Sequence, residues 1–345
     1  MIMLVGPNNS GKTALAEQLY QRGMSYIHCV RETTYADYLD MLDYDVSNTV
    51  FDRCMWCDIP YGDNKIDGKL GREFTGKQMQ SYTLSMLIRN PLVIICAHDV
   101  EVSEESLLLY QDYRKFLEDS RIPFCTYDYS MFLTKREVLV SGALLREQVD
   151  ITQFDDSLMY PIDLIMNMNA HLANQQSWIN PLLQSNRFPI GSQHPSLLII
   201  AERLGPSNAK SIPFEAGPTG AMMAEILTKS GIPLGDIAIT NMVKDEVGST
   251  RKPNKQDKEL LDLELDNLKP CYVLLMGKVA TAAAPILSKR KTGYIELEHL
   301  GALHRRGVTN LTAYTSEVRK AYDKAVEIRK GGDSKRWKSV IIPCE

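Results

Sequence analysis

The chain has 345 residues, enough for two domains, and 44% of them are apolar, so it can bury a sizeable core. Its net charge of −4 excludes a protein that is polybasic throughout, although local basic runs are compatible with that average. No apolar run approaches the ~20 residues of a membrane helix, and Met1–Val5 reads as a buried strand and not as a signal peptide. The seven scattered cysteines favour reduced thiols, so we expect a cytoplasmic protein.

Residues 1–130 alternate short apolar runs with helical periodicity, which is typical of βαβ units around a parallel sheet with helices on both faces. The predicted strands are Ile2–Val5, Ser25–Cys29, Thr49–Phe51, Leu92–Ala97 and Pro123–Tyr127, and the predicted helices are 11–22, 76–89 and 104–119. Residues 131–195 carry helical patterns that are interrupted by prolines, and we expect a helical connector there.

A glycine-containing segment lies between the first predicted strand and the first predicted helix. It reads Gly6-Pro7-Asn8-Asn9-Ser10-Gly11-Lys12-Thr13 and fits G-x-x-x-x-G-K-[ST] in full. The glycines let backbone N–H groups wrap a phosphate chain, and the helix N-terminus adds the positive end of its dipole. Lys12 would reach the β- and γ-phosphates of ATP, and the Thr13 hydroxyl would bind Mg²⁺. The segment therefore predicts a P-loop NTPase domain that takes ATP and Mg²⁺.

Two further motifs follow predicted strands, Val30-Arg31-Glu32-Thr33 after the second and Phe51-Asp52-Arg53 at the end of the third. With the phosphate loop they resemble the thymidylate kinase family over about 130 residues. The resemblance implies transfer of the ATP γ-phosphoryl group to a pyrimidine deoxynucleotide. Thr33 departs from the family's R-E-P type turn, and the residues after it depart from the region that shapes the acceptor site. A free thymidylate-like acceptor is therefore in question.

Several side chains of this domain are candidates for phosphoryl transfer. Asp52 would either hold Mg²⁺ through water or accept the acceptor's proton. Arg53 would either clamp an acceptor phosphate or form a structural pair with Asp52. Arg72 lies in segment 62–76, where the resemblance implies a lid, and the alternative is a solvated loop; Arg31 has the same two interpretations. We interpret the pair in Cys54-x-x-Cys57 as packing near the site and not as a redox or metal pair.

A second α/β alternation occupies residues 196–330 and precedes a tail at 331–345. Its predicted strands are Leu197–Ala201, Ile237–Thr240, Tyr272–Met276 and Tyr294–Leu297, and its predicted helices are 217–230, 256–267, 278–287 and 312–329. Four short motifs occur in order along this region, built around Glu202-Arg203-Leu204-Gly205-Pro206, Pro213-Phe214, Thr240-Asn241-Met242-Val243-Lys244 and Leu268-Lys269-Pro270 ahead of Gly277. Together they resemble the uracil-DNA glycosylase superfamily, especially its iron–sulfur family.

This second resemblance implies roles position by position. Glu202 matches the glutamate at the scissile sugar–base bond, Phe214 the aromatic that stacks on the extruded base, and Asn241 the asparagine that reads the pyrimidine edge. His299 lies roughly where the family has its active-site histidine, with His304 as the rival candidate; for each, a merely structural role is the alternative.

The sequence also departs from that family. Asp245 follows Lys244 where a cluster cysteine is expected, so we expect no iron–sulfur cluster, and Arg203 replaces a small residue beside Glu202. The sequence therefore supports base binding more strongly than base excision. Basic residues recur in segments 244–258 and 288–306, which suits either contact with a phosphate backbone or a solvated face.

The two resemblances lead to three hypotheses. The first is a kinase that phosphorylates the 5-hydroxymethyl group of 5-hydroxymethyluracil in viral DNA, which is similar to the viral 5-hydroxymethyluracil DNA kinases and would act in the host cytoplasm. The second is a deoxynucleoside monophosphate kinase joined to a separate glycosylase. The third is a DNA-binding protein without catalysis, in which the phosphate loop is an ATP switch. No membrane partner is expected, and the oligomeric state stays open.

Overall fold

The computed structural model describes the chain except for residues 31, 42–45, 60–64, 67–68, 71–73, 98–102, 128–160, 176–177, 179–188, 205–213, 215–216, 245–249 and 337–345. The chain divides into two compact units, one of Met1–Phe188 with Pro233–Gly235 and one of Pro189–Ile232 with Asp236–Glu345. None of the helices described is long and apolar enough to cross a membrane. The six cysteines that are described form no disulfide with one another.

The first unit is built on a parallel sheet of five strands. Its strands in chain order are β1 (Ile2–Val5), β2 (Ser25–His28), β3 (Thr49–Asp52), the short antiparallel hairpin β4 (Lys65–Ile66) and β5 (Lys69–Leu70), β6 (Leu92–Cys96) and β7 (Phe124–Tyr127). The hairpin forms a separate two-stranded sheet. The other five strands are all parallel and lie in the order β2-β3-β1-β6-β7. The helices are α1 (Lys12–Gln21), α2 (Tyr35–Met41), α3 (Gly76–Leu87), α4 (Glu104–Asp119) and α5 (Pro161–Gln175).

The core on one side of this sheet is formed by alternate strand residues and two helices. Ile2 and Leu4 of β1 share a buried cluster with Leu15 and Leu19 of α1 and with Ile165 of α5. Alternation along β1 follows from the strand period of two, and the spacing of Leu15 and Leu19 follows from the helix period. Helix α5 therefore belongs to the first unit, although its residues fall in the range for which the sequence predicted a connector.

The second unit contains its own sheet. Its elements are β8 (Ile190–Gly191), β9 (Leu197–Ala201), α6 (Gly217–Ser230), β10 (Ile237–Asn241), α7 (Lys255–Leu268), β11 (Tyr272–Met276), α8 (Ala284–Arg290), β12 (Gly293–Leu297), α9 (Leu300–Arg305) and α10 (Thr312–Arg336). The strand order is β12-β11-β9-β10-β8, and β8 alone runs antiparallel to its neighbour.

The α/β prediction is confirmed in both units, and the differences concern short elements. The helix predicted over 278–287 is a 3₁₀ turn at Ala280–Ala283 followed by α8, which has proline in its first turn, a position where proline is favoured. Helices α2 and α9 were not predicted, because seven and six residues carry too little periodicity to be seen.

Candidate functional site

The loop between β1 and α1 follows a path that requires glycine at its start. Gly6, Asn9 and Gly11 have positive φ angles of 139°, 61° and 83°. A Cβ on Gly6 would lie 2.5 Å from the backbone oxygen of Cys96, so no side chain fits at this position. The loop thus depends on glycine where the motif demands it.

Lys12 reaches back to the same loop. Its side chain is buried, and Nζ donates hydrogen bonds to the carbonyl oxygens of Gly6, at 2.8 Å, and Pro7. Burial lowers the pKa of Lys12, and the nearby Arg53 guanidinium acts in the same direction. The loop therefore holds a buried cationic side chain at the place where phosphate binding was predicted.

Asp52, the last residue of β3, is fully buried and brings three side chains together on one oxygen. Its Oδ2 accepts hydrogen bonds from Thr13 Oγ1 at 2.7 Å and Tyr26 OH at 3.1 Å, and His28 Nδ1 lies 2.9 Å from it. Its Oδ1 is buried and has no hydrogen-bond partner among the described residues. A buried carboxylate oxygen without a partner costs roughly 1–3 kcal/mol, which makes this atom a candidate acceptor for a ligand of the site.

The residues around Asp52 fit a divalent cation. A carboxylate oxygen and the Thr13 hydroxyl are hard oxygen ligands of the kind that Mg²⁺ takes, and Mg²⁺ commonly completes its shell with water and substrate phosphates. The described parts of the chain hold no group of three His, Cys, Asp or Glu side chains that would bind a metal by themselves. A cation here would therefore depend on the phosphate loop and its ligand.

Of the three arginines predicted for this site, the structure describes Arg53. Arg53 is half-buried, has a φ angle of 73°, and lies close enough to Lys12 to affect its pKa. No ion pair joins Arg53 to Asp52 in the described part of the chain, where the carboxylate bonds to Thr13, Tyr26 and His28 instead. Arg31 and Arg72 lie outside the described residues.

Tyr26 and His28 are functional candidates that the sequence analysis missed. They alternate on β2, so their side chains share one side of the strand, and His28 pairs with Asp52 in the sheet register. Burial and the Asp52 carboxylate together raise the pKa of Tyr26 to about 12, so the phenol remains a donor at neutral pH. Two polar rings at alternate strand positions were the available signal, but it becomes specific only when β2 is known to lie beside β3.

The Cys54-x-x-Cys57 pair packs in the interior of the first unit. Both side chains are buried around a single 3₁₀ turn, Met55–Asp58, and Trp56 between them donates from Nε1 to Thr83 Oγ1 at 2.9 Å. Burial raises the pKa of the Cys54 thiol. Among the described residues, no group of three His, Cys, Asp or Glu side chains that could hold a metal includes this pair.

A second constellation lies in the second unit, at the carboxyl ends of neighbouring parallel strands. Glu202 directly follows β9, Gly277 directly follows β11, and His299 follows β12 by two residues. A Cβ on Gly277 would lie 2.5 Å from Glu202 Oε1 and 2.8 Å from His299 Cβ. The two predicted side chains therefore meet across this glycine, and the amide of Val279 donates to Glu202 Oε1 at 3.2 Å.

His299 is held in one orientation by the helix that it precedes. Its Nδ1 accepts a hydrogen bond from the amide of Gly301 at 3.0 Å, so the proton of the neutral ring lies on Nε2. Burial lowers the pKa of His299, against the opposing charge of Glu202. The ring is therefore a neutral Nε2–H donor at neutral pH. The rival candidate, His304, is exposed on α9.

Of the two other base-binding candidates, Asn241 and Phe214, Asn241 can be placed at the sheet edge that carries Glu202. Asn241 ends β10, is buried, and pairs with Ala201, the residue before Glu202, so it lies at the same edge of the sheet. Phe214 is half-buried with a φ angle of 58°. The segments 205–213 and 215–216 on either side of it lie outside the described residues.

The basic segments of the second unit are partly structural. Lys244 is buried and forms an ion pair of 2.6 Å with Glu264, Arg251 pairs with Asp257, and Arg290 pairs with Asp262 and Asp266. Lys244 is therefore an interior residue and not a phosphate contact. Lys255 has a side chain 90% exposed, which leaves it accessible to solvent and ligands.

Comparison with known proteins gives a match for the second unit. Residues 188–323 match the family model described as the uracil DNA glycosylase superfamily. A "Type-4 uracil-DNA glycosylase" of Pyrobaculum aerophilum is 28% identical over 105 residues, which are 29% of this chain and 54% of the relative. The chain thus spans about half the length of this curated relative. The match concerns the second unit and leaves the first to be judged by its own geometry.

Proposed function

On the premise that residues 188–323 form a uracil DNA glycosylase superfamily domain, we propose that the chain is an ATP-dependent phosphotransferase that acts on a modified uracil in DNA. In this proposal the first unit is a P-loop kinase of the thymidylate kinase type. The second unit recognises the base, and the acceptor is the hydroxyl of 5-hydroxymethyluracil in viral DNA.

The observation that carries the proposal is the joint placement of Thr13 and Asp52 beside the phosphate loop. Thr13 Oγ1 lies 2.7 Å from Asp52 Oδ2, and the buried Asp52 Oδ1 has no partner within the described chain. Phosphoryl transfer needs little covalent help from a protein, because positioning and neutralisation of charge supply most of the catalysis. A loop with a buried lysine next to a hydroxyl and a carboxylate offers both.

In the proposed reaction the residues of the first unit have separate tasks. Lys12 binds the β- and γ-phosphates, and Arg53 neutralises charge at the acceptor end. Thr13 and Asp52 would hold Mg²⁺, which when bound neutralises phosphate charge and orients the γ-phosphoryl group. The acceptor oxygen forms the new bond to phosphorus and the bond to the ADP oxygen breaks. The acceptor proton passes to solvent when Asp52 holds the cation, or to Asp52 in the alternative in which it acts as the base.

The second unit supports recognition of a pyrimidine base. The neutral His299 offers an Nε2–H donor, and Asn241 offers an amide with both a donor and an acceptor at the same sheet edge. The relative's printed name assigns it to uracil in DNA. Plain uracil has no hydroxyl on its base that could accept a phosphoryl group, whereas a 5-hydroxymethyl substituent supplies one. These points motivate the choice of acceptor.

The test uses γ-labelled ATP with three acceptors: DNA that contains 5-hydroxymethyluracil, the same DNA with thymine, and free deoxynucleoside monophosphates. We expect label in the first alone, and none with Lys12→Ala. Lys115→Ala, on the exposed surface of α4, is the matched control and should transfer label like the wild type. Label in the free nucleotides alone would refute the proposal. If no acceptor is labelled while ATP still alters DNA binding, the phosphate loop is a switch.

A second candidate is a deoxynucleoside monophosphate kinase joined to an active glycosylase. Glu202 and His299, which meet across Gly277, favour it, since a carboxylate and a neutral imidazole are present at the predicted excision site. This candidate predicts abasic sites in uracil-containing DNA without ATP. Their formation should vanish in Glu202→Gln and persist in Glu225→Gln, an exposed glutamate on α6. DNA that stays intact with the wild type would exclude it.

A further inference from the structure

The contacts of Asp52 are unevenly shared between its two oxygens. Oδ2 has Thr13 Oγ1, Tyr26 OH and His28 Nδ1 within 3.1 Å, whereas Oδ1 is buried and has no partner within the described residues. Thr13 belongs to the helix that follows the phosphate loop. Tyr26 and His28 both come from β2, the edge strand next to β3.

A carboxylate that is bonded on one oxygen by two side chains of a neighbouring strand cannot rotate freely about its Cβ–Cγ bond. Tyr26 OH also lies 3.3 Å from His28 Nδ1, so the two side chains contact each other as well as Asp52. When Thr13 turns to a ligand, Oδ2 would keep two of its three contacts. Oδ1 would therefore keep its direction.

We propose that His28 and Tyr26 are positioning residues, which fix the Asp52 carboxylate so that Oδ1 is presented to the cation of a bound metal–nucleotide. The inference rests on the proposed nucleotide function of the first unit and adds two residues to it. In this role both residues act through their contacts with Asp52. Their loss should weaken the contribution of the cation to nucleotide binding and leave the contacts of the loop with the phosphates intact.

The experiment measures the affinity of the full-length chain for a fluorescent ATP analogue, once with Mg²⁺ and once with EDTA. For the wild type we expect tighter binding with Mg²⁺. His28→Ala and Tyr26→Phe should each reduce this Mg²⁺-dependent gain by about tenfold, because hydrogen bonds to a charged group are lost. Binding in EDTA should stay at the wild-type level. His28→Asn, which keeps a side-chain donor, should recover part of the gain.

Tyr20→Phe is the matched control, because this tyrosine is 60% exposed, lies beside Tyr26 with ring centroids 6.4 Å apart, and should leave both affinities unchanged. Equal losses with Mg²⁺ and with EDTA would show a general structural role and overturn the inference, as would variants that bind like the wild type. A wild type that binds no nucleotide in either buffer would overturn the proposed function as well. A wild type with Mg²⁺-dependent binding and unaffected variants would overturn the positioning role alone.

Discussion

At the scale of single residues, two glycines control how closely neighbouring parts of the chain approach each other. Gly6 allows the phosphate loop to pass the backbone of Cys96, and Gly277 allows Glu202 and His299 to meet. Both have positive φ angles, of 139° and 95°, which side chains with a Cβ rarely adopt. In each case the absence of a side chain leaves room for the neighbouring atoms.

We expect Gly277→Ala to damage the second site more than it damages the fold. The new Cβ would collide with Glu202 Oε1 and His299 Cβ, and the φ angle of +95° adds backbone strain. The free energy of unfolding should therefore fall by about 1–3 kcal/mol. Affinity for uracil-containing DNA, measured by fluorescence anisotropy, should fall by about tenfold or more, because the two side chains are pushed apart.

Gly307→Ala is the control for this change. Its φ angle is +68° and nothing lies within 4 Å of the added Cβ, so it carries the backbone strain without the collision. Equal DNA affinity in Gly277→Ala and the wild type would contradict the arrangement of Glu202, Gly277 and His299 described above.

At the scale of elements, the end of β10 is tied to α7 by buried charges. Lys244 Nζ pairs with Glu264 at 2.6 Å, and Thr240 Oγ1 donates to the same carboxylate at 2.9 Å. Asp257 accepts from the backbone amides of Lys244 and Asn254. Asn241 lies between Thr240 and Lys244 in sequence, so these contacts fix the strand end that carries it.

Removing one partner of the Lys244–Glu264 pair should cost far more than removing both. Either Lys244→Met or Glu264→Leu alone leaves a buried charge without its counterion, which should lower the free energy of unfolding by about 3–5 kcal/mol. The double variant should recover most of this loss. Urea unfolding of the four proteins measures the coupling. The exposed Lys229–Glu225 pair should give a coupling of about 0–1 kcal/mol. Additive losses at Lys244 and Glu264 would show that the pair is not coupled.

Asp257 predicts a specific loss of stability in acid. Burial acts to raise its pKa, but hydrogen bonds from Arg251 and from the amides of Asn254 and Lys244 outweigh burial and lower the pKa to about 2. A carboxyl group with a lowered pKa in the folded state stabilises the fold above its unfolded value of 3.8, by about 2 kcal/mol. This stabilisation disappears as the pH falls through 2.

The difference in unfolding free energy between the wild type and Asp257→Asn should therefore be largest above pH 5 and shrink as the pH falls towards 2. Urea unfolding at pH 6, 4 and 3 measures it. Asp323→Asn, on the exposed surface of α10, should show a difference near zero throughout. A gap for Asp257→Asn that does not change with pH would contradict the role of its charge.

At the scale of the whole molecule, the chain consists of two units, each with its own five-stranded sheet and buried core. A ligand stabilises the unit that binds it, by about 2.7 kcal/mol at a concentration of 100 Kd. Local opening is measured by hydrogen exchange, which reports each unit separately.

We expect ATP with Mg²⁺ to slow amide exchange in β1, β3 and α1, and uracil-containing DNA to slow it in β9, β10 and β12. Lys12→Ala should abolish the first effect and leave the second unchanged. Protection of the second unit by ATP in the absence of DNA would show energetic coupling between the units, and protection of neither would contradict both binding proposals.

Much of this organisation could be predicted because local patterns carry it. The phosphate loop is contiguous, and the buried strands β1, β6, β9 and β11 are short apolar runs that periodicity identifies. The contacts of Asp52 with Tyr26 and His28 could not be predicted, since they depend on the neighbour order of β2 and β3. The burial of Lys244 could not be predicted either, because its partner Glu264 lies 20 residues further along the chain, on α7.

The sequence by itself determined the longer strands and helices of both units, which segment carries the G-x-x-x-x-G-K-[ST] motif, and which motifs resemble a uracil-DNA glycosylase domain. These properties depend on residue types at fixed spacing, which backbone geometry translates directly into structure. Only the tertiary structure decided which oxygen of Asp52 is anchored, that Glu202 and His299 meet across Gly277, and that Lys244 is interior. Such facts require the order of strands in a sheet, which follows from packing of the whole unit and is not written in any one segment.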